Sequence, residues 1–243
     1  MRKVLRLVSL IVLTVLLMGS VADNVAVADE PLPPGVQMRV IDRTENNVLV
    51  ASGSAEGMDK RQAIEAVNQV IEGQHALEDA TEAVERGVAP EGLGVDYYYD
   101  GYGWTYYNGS RVYTYFPNTH LYVEYGWTVE ATIDGYTRTF WDGTDPYYSD
   151  EIKLTEKWEF QKGSISVSVG TGGVGGTWST STNAVQFDSG WVDTAGWSYS
   201  LANTYSGVRA QSATLVRVDD TATGVHRFGN NFVTASCHGW KRF

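Results

Sequence analysis

From residue 95 to the end of the chain, apolar and polar residues alternate with a period of two. The pattern is clearest over residues 121–133, where apolar side chains take the odd positions and polar ones most of the even positions. A β-strand turns successive side chains to opposite faces, so this pattern predicts strands with one buried and one wet face. About ten short strands at this spacing predict a mainly β, antiparallel β-sandwich or barrel-like domain at residues 95–243.

Two dipeptides that favour tight turns divide the first strands of this predicted domain. Asn108-Gly109 separates YGWTYY from SRVYTYF, and Asp134-Gly135 separates residues 121–133 from YTRTFW. Both dipeptides accept the left-handed backbone conformation that two-residue hairpin loops require. We therefore predict hairpin turns at residues 108–109 and 134–135.

The first thirty residues have the features of a secretory signal peptide. A basic start and an apolar run at residues 7–18 precede the small-residue motif Ala26-Val27-Ala28. The run is shorter than the roughly 20 residues that a membrane-spanning helix needs. The sequence therefore predicts a signal peptide at residues 1–28, cleavage before Asp29, and secretion to the extracellular space. The alternative is an anchor that is not cleaved.

Residues 29–94 contain no aromatic residue and are strongly acidic. GVQMRVID and NVLVASG resemble a short hairpin, and residues 59–87 carry apolar side chains at the three-and-four spacing of an amphipathic helix. This segment is interpreted either as a pro-segment or as an ordinary N-terminal helix that packs on the main sheet.

Charge and cysteine content exclude several kinds of partner and cross-link. The chain carries a formal net charge of −11, which repels nucleic acid and anionic lipid. Cys237 is the single cysteine, so no intramolecular disulfide can form. We expect no nucleic-acid partner, and a membrane partner only if the protein forms pores.

Residues 95–116 contain ten aromatic side chains, eight of them tyrosine. Because a strand buries only one face, successive rings in this run cannot all reach the core. Exposed rings can stack on the apolar face of a pyranose, while neighbouring polar groups take its hydroxyls. The alternative is that the rings stack on one another and stabilise the sheet. The candidate ligand-binding residues are Tyr102, Trp104, Tyr106 and Tyr122.

Motifs for catalysis are missing, so we favour a protein that is not an enzyme. The histidines lack zinc spacing, and the nucleophile motif GxSxG does not occur. Glu124 and Glu130 share a face of one predicted strand, six residues or about 20 Å apart. That separation exceeds the distance between the two carboxyls of a glycosidase.

Glu156 is a candidate buried carboxylate. In IKLTEKWEF it takes the same parity as Ile152, Leu154, Trp158 and Phe160, which places it on the apolar face. An unpaired buried carboxylate is costly, so it needs a partner or a raised pKa. The sequence offers two arginines as structural partners, Arg138 and Arg217.

The stretch WDGTDPYYSDE, at residues 141–151, is the best candidate metal site. It contributes carboxylate oxygens, which suit calcium better than zinc. The alternative is that Asp-Gly and Asp-Pro only form turns. The candidate ligands are Asp142, Asp145, Asp150 and Glu151.

Residues 163–182 suggest a different class of protein. Serines alternate with Ile165, Val167 and Val169 ahead of a glycine-rich bend, and the stretch resembles the membrane hairpin of secreted β-pore-forming toxins. The first arm is shorter than the 9–11 residues that a membrane-crossing strand needs.

Taken together, these features predict a secreted, non-catalytic binding protein for glycan or another cell-surface component. A pore-forming or toxin-like protein is the second reading, and an extracellular hydrolase the third.

Overall fold

A computed structural model describes residues 36–43, 47–54, 93–143, 148–161, 166–169, 176–194 and 198–243. Within these ranges the regular secondary structure consists of β-strands, and there is no helix. The predicted signal peptide and the predicted helix at residues 59–87 lie outside the described residues. The strands are β1 (Val36–Arg43), β2 (Asn47–Ser54), β3 (Leu93–Tyr107), β4 (Ser110–Tyr125), β5 (Val129–Trp141), β6 (Glu151–Gln161), β7 (Ser166–Val169), β8 (Thr177–Thr180), β9 (Ala184–Asp188), β10 (Val192–Asp193), β11 (Ser200–Ser212), β12 (Arg217–Phe228) and β13 (Asn231–Arg242).

The strands form two antiparallel sheets, which confirms the predicted mainly β, antiparallel class. The larger sheet has the order β1-β2-β11-β5-β4-β3, with β7 also pairing with β11. The smaller sheet has the order β13-β12-β6-β9-β8, with β10 also pairing with β6. β2 pairs with β11 in the register Ser52↔Ser200, so residues 47–54 belong to the larger sheet.

A common apolar core joins the inward faces of the two sheets. Leu121 and Ile133 come from the larger sheet, and Trp158, Phe160 and Phe187 from the smaller one; all five are almost completely buried. Burial of each such side chain contributes about 1.5–3 kcal/mol. The alternation of buried and exposed residues is strict in β6, where Ile152 to Phe160 point inward at every second position.

The two predicted hairpin turns have different outcomes. Asn108 and Gly109 have φ values of 46° and 77° and join β3 to β4, as predicted. Asp134-Gly135 is not a turn but lies inside β5, so that prediction was wrong. Asp134 Oδ1 instead accepts a hydrogen bond from the Gly207 N–H at 2.7 Å. A Cβ on Gly135 would lie 2.9 Å from the Tyr205 hydroxyl, so the glycine serves close packing.

The chain reverses seven residues earlier, between β4 and β5, where the Gly126 N–H donates to the Thr128 carbonyl at 3.0 Å. Trp127 is fully exposed at the tip of this turn. Glu124 and Glu130 therefore lie directly opposite each other on paired strands. The predicted separation of about 20 Å was wrong, because it assumed one continuous strand. Both side chains face away from the core.

A bulge in β4 changes which residues point inward. The register with β3 shifts between Tyr99 and Gly101, opposite Asn118, which has a φ of 48°. Phe116 and Leu121 are both fully buried although they are five residues apart, a spacing that an undisturbed strand would place on opposite faces. Before the bulge the odd residues of β4 face outward, and after it the even ones do.

Glycines allow β3 and β13 to approach backbone to backbone at one side of the core. A Cβ on Gly103 would overlap the carbonyl oxygen of Ser236. A Cβ on Gly239 would lie 2.5 Å from the carbonyl oxygen of Asp100. Any larger residue at either position must therefore separate the two strands.

The predicted hairpin at residues 163–182 is not found in the described part of this stretch. β7 pairs with β11 in the larger sheet, whereas β8 pairs with β9 in the smaller sheet. The two arms expected to pair with each other thus lie in different sheets. Alternation predicted the strands correctly, but not the partner of each.

Candidate functional site

Four large rings lie on the outward face of β3. Tyr98, Tyr102, Trp104 and Tyr106 are between 44% and 63% exposed, and they occupy even positions. Inward positions of the same strand are filled by Tyr99, which is buried, and by Tyr107, which stacks on Phe228 with ring centroids 4.5 Å apart. The rings at odd positions of β3 therefore pack against the core, and the rings at even positions remain exposed to solvent.

β4 adds two residues to this face through the register that the 108–109 turn sets. Tyr106 lies opposite Arg111, and Trp104 lies opposite Tyr113. Tyr113 also contacts Tyr102, with ring centroids 5.8 Å apart. We call the group of Tyr102, Trp104, Tyr106, Arg111 and Tyr113 the ring patch.

Arg111 is held within the ring patch by two aromatic faces and two hydroxyl groups. Its guanidinium carbon lies 4.7 Å from the Trp104 centroid and 5.3 Å from the Tyr106 centroid. Its terminal nitrogens donate to the Tyr113 hydroxyl at 3.3 Å and the Tyr106 hydroxyl at 3.2 Å. These hydrogen bonds, that to Tyr113 first, raise the pKa of Arg111 above its usual value. The group stays charged at any physiological pH.

The rings of the patch form a corner and do not lie in a single plane. Trp104 and Tyr106 meet edge to face, with centroids 4.9 Å apart and an interplanar angle of 75°. Such a corner offers one flat apolar face and one ring edge to a bound group. The nearby hydroxyls of Tyr102, Tyr106 and Tyr113 supply polar contacts.

Tyr122, the fourth predicted ligand-binding residue, is separate from the ring patch. It lies opposite Asp96, six residues along β3 from Tyr102, which corresponds to about 20 Å of strand. Its ring passes over Gly94, where a Cβ would collide with it. The structure thus brings together three of the four predicted rings.

Arg111 and Tyr113 were not identified from the sequence as members of the patch, although the turn at Asn108-Gly109 places them opposite the exposed rings. A two-residue turn at Asn108-Gly109 fixes the pairing of the flanking strands. Counting outward from that turn pairs Tyr106 with Arg111 and Trp104 with Tyr113. An arginine facing two rings on one side of a hairpin was therefore readable from the sequence.

Elsewhere on the larger sheet, the side chain of His120 on β4 contacts residues of β3 and β5. Its Nε2 lies 2.8 Å from Asp96 and its Nδ1 lies 3.7 Å from Asp134, while Tyr98 stacks on its ring. The neighbouring carboxylates, Asp134 first and then Asp96, raise the pKa of His120 despite partial burial. We interpret this cluster as a structural link that stabilises the packing of β3, β4 and β5.

The predicted metal ligands do not converge in the part of the chain that the structure describes. Asp142 accepts a hydrogen bond from the Arg111 backbone N–H at 2.6 Å. Asp150 accepts one from the Gly229 N–H at 2.5 Å, and Glu151 pairs with Arg227 at 3.0 Å. Asp145 lies outside the described residues. Among described residues, no group of three or more metal-binding side chains occurs.

Glu156 is fully buried, as predicted, but neither arginine is its partner. The Tyr205 hydroxyl donates to Glu156 Oε1 at 3.0 Å. Asp220, also fully buried on the neighbouring strand β12, interacts with Glu156 and accepts a hydrogen bond from the Tyr99 hydroxyl at 3.2 Å.

The two predicted arginine partners make contacts elsewhere. Arg138 donates to Ser52 and Ser200 on the outward face of the larger sheet, and Arg217 pairs with Asp219 on the outward face of the smaller sheet. Alternation along β5 and β12 turns both arginines away from Glu156.

Burial perturbs the protonation of this carboxyl pair. It raises the pKa of Glu156 to about 8, against the weaker effects of its polar neighbours, which include the hydrogen bond from the Tyr205 hydroxyl. It also raises the pKa of Asp220, and the negative charge of Glu156 raises it further. At neutral pH the pair therefore retains a proton. Both carboxyls are sealed in the core, with no exposed surface at which a substrate could reach them.

Comparison with known protein families, with curated proteins and with solved structures finds no match to this chain. Within the described ranges no helix has the length and apolar character to cross a membrane.

Proposed function

We propose that this protein is a secreted, non-catalytic binding module of β-sandwich architecture that holds a glycan on the ring patch. The observation that carries the proposal is the exposure of Tyr102, Trp104 and Tyr106 on one face of β3. Contiguous exposed apolar surface on a soluble protein commonly marks a binding site.

The chemistry of the patch suits a sugar better than a purely apolar ligand. The exposed side of Trp104 offers a flat face for the C–H groups of a pyranose, and Tyr106 approaches as the second wall. The hydroxyls of Tyr102 and Tyr106 lie at the rim, where sugar hydroxyls can exchange hydrogen bonds with them. The described parts of the two arms that the pore-forming alternative requires lie in different sheets. The paired carboxyls of Glu156 and Asp220, which a hydrolase could use, are closed to a substrate.

Replacing Trp104 by alanine is expected to abolish retention of the protein on glycan ligands while changing its melting temperature little. Trp104 is 44% exposed, so its removal leaves no internal cavity. Trp240→Ala is the matched control, because Trp240 is 53% exposed and stacks with Arg217 on the other sheet. Affinity electrophoresis and a glycan array measure binding, and thermal unfolding measures stability.

Two results would contradict the proposal. One is unchanged binding in Trp104→Ala. The other is the absence of binding by the wild-type protein to every polysaccharide and array glycan, in which case the rings of β3 only stabilise the sheet.

Export is the second element of the proposal and has its own test. Protein recovered from the medium of a secreting host is expected to begin at Asp29, because the small-residue motif Ala26-Val27-Ala28 directs cleavage there. N-terminal sequencing measures the cleavage point. Recovery of the protein only with cells, still carrying residues 7–18, would show an anchor instead.

A further inference from the structure

We propose that the ring patch selects sugars that carry a carboxylate, and that Arg111 is the residue that recognises this group. The inference rests on the proposed glycan-binding function and goes one step further, because it assigns the chemical class of the ligand. The ligand class is a glycan in which single uronate or sialate units are spaced among neutral sugars.

The first argument is that the positive charge of Arg111 is not neutralised by any described carboxylate. Its side-chain partners are two neutral tyrosine hydroxyls and two ring faces. Asp142, the nearest acidic residue in its contacts, accepts the Arg111 backbone N–H and makes no ion pair with the guanidinium. The charge of Asp142 also acts at the patch, where burial first, and Asp142 more weakly, raise the pKa of Tyr102. An anion that binds there would still meet a guanidinium that has no described carboxylate in ion-pair contact.

The second argument comes from a matched pair of residues on the smaller sheet. Arg217 lies 4.6 Å from the Trp240 ring centroid, almost the same distance as Arg111 from Trp104. Arg217, however, also forms an ion pair with Asp219. Both sheets thus carry an arginine over an exposed tryptophan, but of these two arginines only Arg217 forms an ion pair with a carboxylate among the described residues.

The third argument is geometric. A guanidinium has five N–H donors in one plane, and the two tyrosine hydroxyls use two of them. The remaining donors can engage a carboxylate, and two parallel hydrogen bonds from an arginine fork are the strongest such arrangement. The two hydroxyl hydrogen bonds and the contacts with the Trp104 and Tyr106 rings restrain the guanidinium before a ligand arrives.

The charge of the whole chain decides which anions fit. A net charge of −11 repels densely charged polymers such as nucleic acid. A glycan with isolated carboxylates has less charge to repel and still offers pyranose faces to the rings. The combination of one cation, several rings and an acidic surface therefore favours a sparsely acidic glycan.

The test uses three pairs of soluble sugars that differ in a single carboxylate. They are sialyllactose and its methyl ester, a glucuronate-terminated oligosaccharide and its glucose-terminated counterpart, and an otherwise neutral oligosaccharide with one internal galacturonate and the methyl ester of that compound. For at least one pair, wild type is expected to bind the acidic member at least about tenfold more tightly, since a charge-assisted hydrogen bond contributes that much. Titration calorimetry at low salt measures both affinities.

Variants separate the role of Arg111 from that of the rings. Arg111→Gln is expected to bind both members of the pair equally, and Arg111→Lys, which keeps the charge but not the planar fork, to keep part of the preference. Arg217→Gln, the control from the smaller sheet, is expected to match wild type. Thermal unfolding of each variant checks that the fold is retained.

The outcomes distinguish this inference from the proposed function. Equal affinity for the acidic and neutral members of all three pairs, or an undiminished preference in Arg111→Gln, would overturn the assignment of Arg111 and leave glycan binding intact. No binding to any of the six sugars by wild type, together with no effect of Trp104→Ala on a glycan array, would overturn both.

Discussion

Glu156→Gln is expected to be more stable than wild type at pH 9 and to lose less stability than wild type between pH 5 and pH 9. Burial raises the pKa of Glu156 to about 8 in the folded protein, against a usual value of 4.5. The folded state therefore binds this proton more tightly than the unfolded state does. The contribution of protonated Glu156 to the free energy of unfolding is fully present below about pH 4.5. It is lost as the pH rises toward 8, by up to about 1.4 kcal/mol per pH unit.

Glutamine removes this dependence because it has nearly the same shape and cannot ionise. Its amide oxygen still accepts a hydrogen bond from Tyr205, and its amide N–H groups can donate to Asp220. The expected advantage over wild type at pH 9 is on the order of 3 kcal/mol. Urea denaturation at pH 5, 7 and 9 gives the free energy of unfolding at each pH.

The comparison with wild type tests Glu156 together with the neighbouring groups whose pKa values burial and the charge of Glu156 raise. The pKa values of Asp220, Tyr99, Tyr205 and Cys237, which surround Glu156 on four other strands, are all raised first by burial. These groups are present in both proteins. Glu124→Gln, which changes an exposed carboxyl, serves as the control. A parallel fall in stability for wild type and Glu156→Gln over pH 5–9 would show that the carboxyl pair is not the cause.

Gly103→Ala is expected to destabilise the protein by about 3 kcal/mol or more. A Cβ at residue 103 would overlap the carbonyl oxygen of Ser236, and a backbone atom cannot move aside as a flexible side chain can. The edge strands β3 and β13 must then separate, which opens the core beside Tyr99 and Cys237. Forced overpacking of this kind costs about 1–3 kcal/mol, and more where the neighbour is rigid.

Gly126→Ala provides the control for this prediction. Gly126 lies in the turn between β4 and β5, where an added Cβ would come no closer than 3.6 Å to the Thr128 carbonyl oxygen. Its substitution is expected to change the free energy of unfolding by less than about 0.5 kcal/mol. Equal stability of the two variants in chemical denaturation would rule out the close packing of β3 against β13.

His226 explains why stability is also expected to fall in acid. It is fully buried beside Thr139, and burial lowers its pKa to about 3. The unfolded state binds a proton at His226 near pH 6.5, whereas the folded state does not. This group therefore favours unfolding as the pH falls from about 6.5 toward 3, the opposite direction from Glu156.

Local sequence was sufficient for the class of fold and for several of its parts. Alternation predicts β6 and the burial of Glu156, because side-chain direction along a strand depends only on position. Asn108-Gly109 predicts the first hairpin, because those residues accept φ values that others resist. The same alternation places Trp104 and Tyr106 on one face.

Tertiary structure alone decided which strands pair and which partners the buried groups find. Asp134-Gly135 has the composition of a turn, but Gly207 and Tyr205 hold it inside β5. Glu156 was assigned to an arginine by charge, whereas β12 presents Asp220 to it. Contacts such as these join residues 60 or more positions apart, and local periodicity does not encode register between distant strands. The sequence by itself determined which side chains are buried. Only the pairing of distant strands determined which partners each buried side chain contacts.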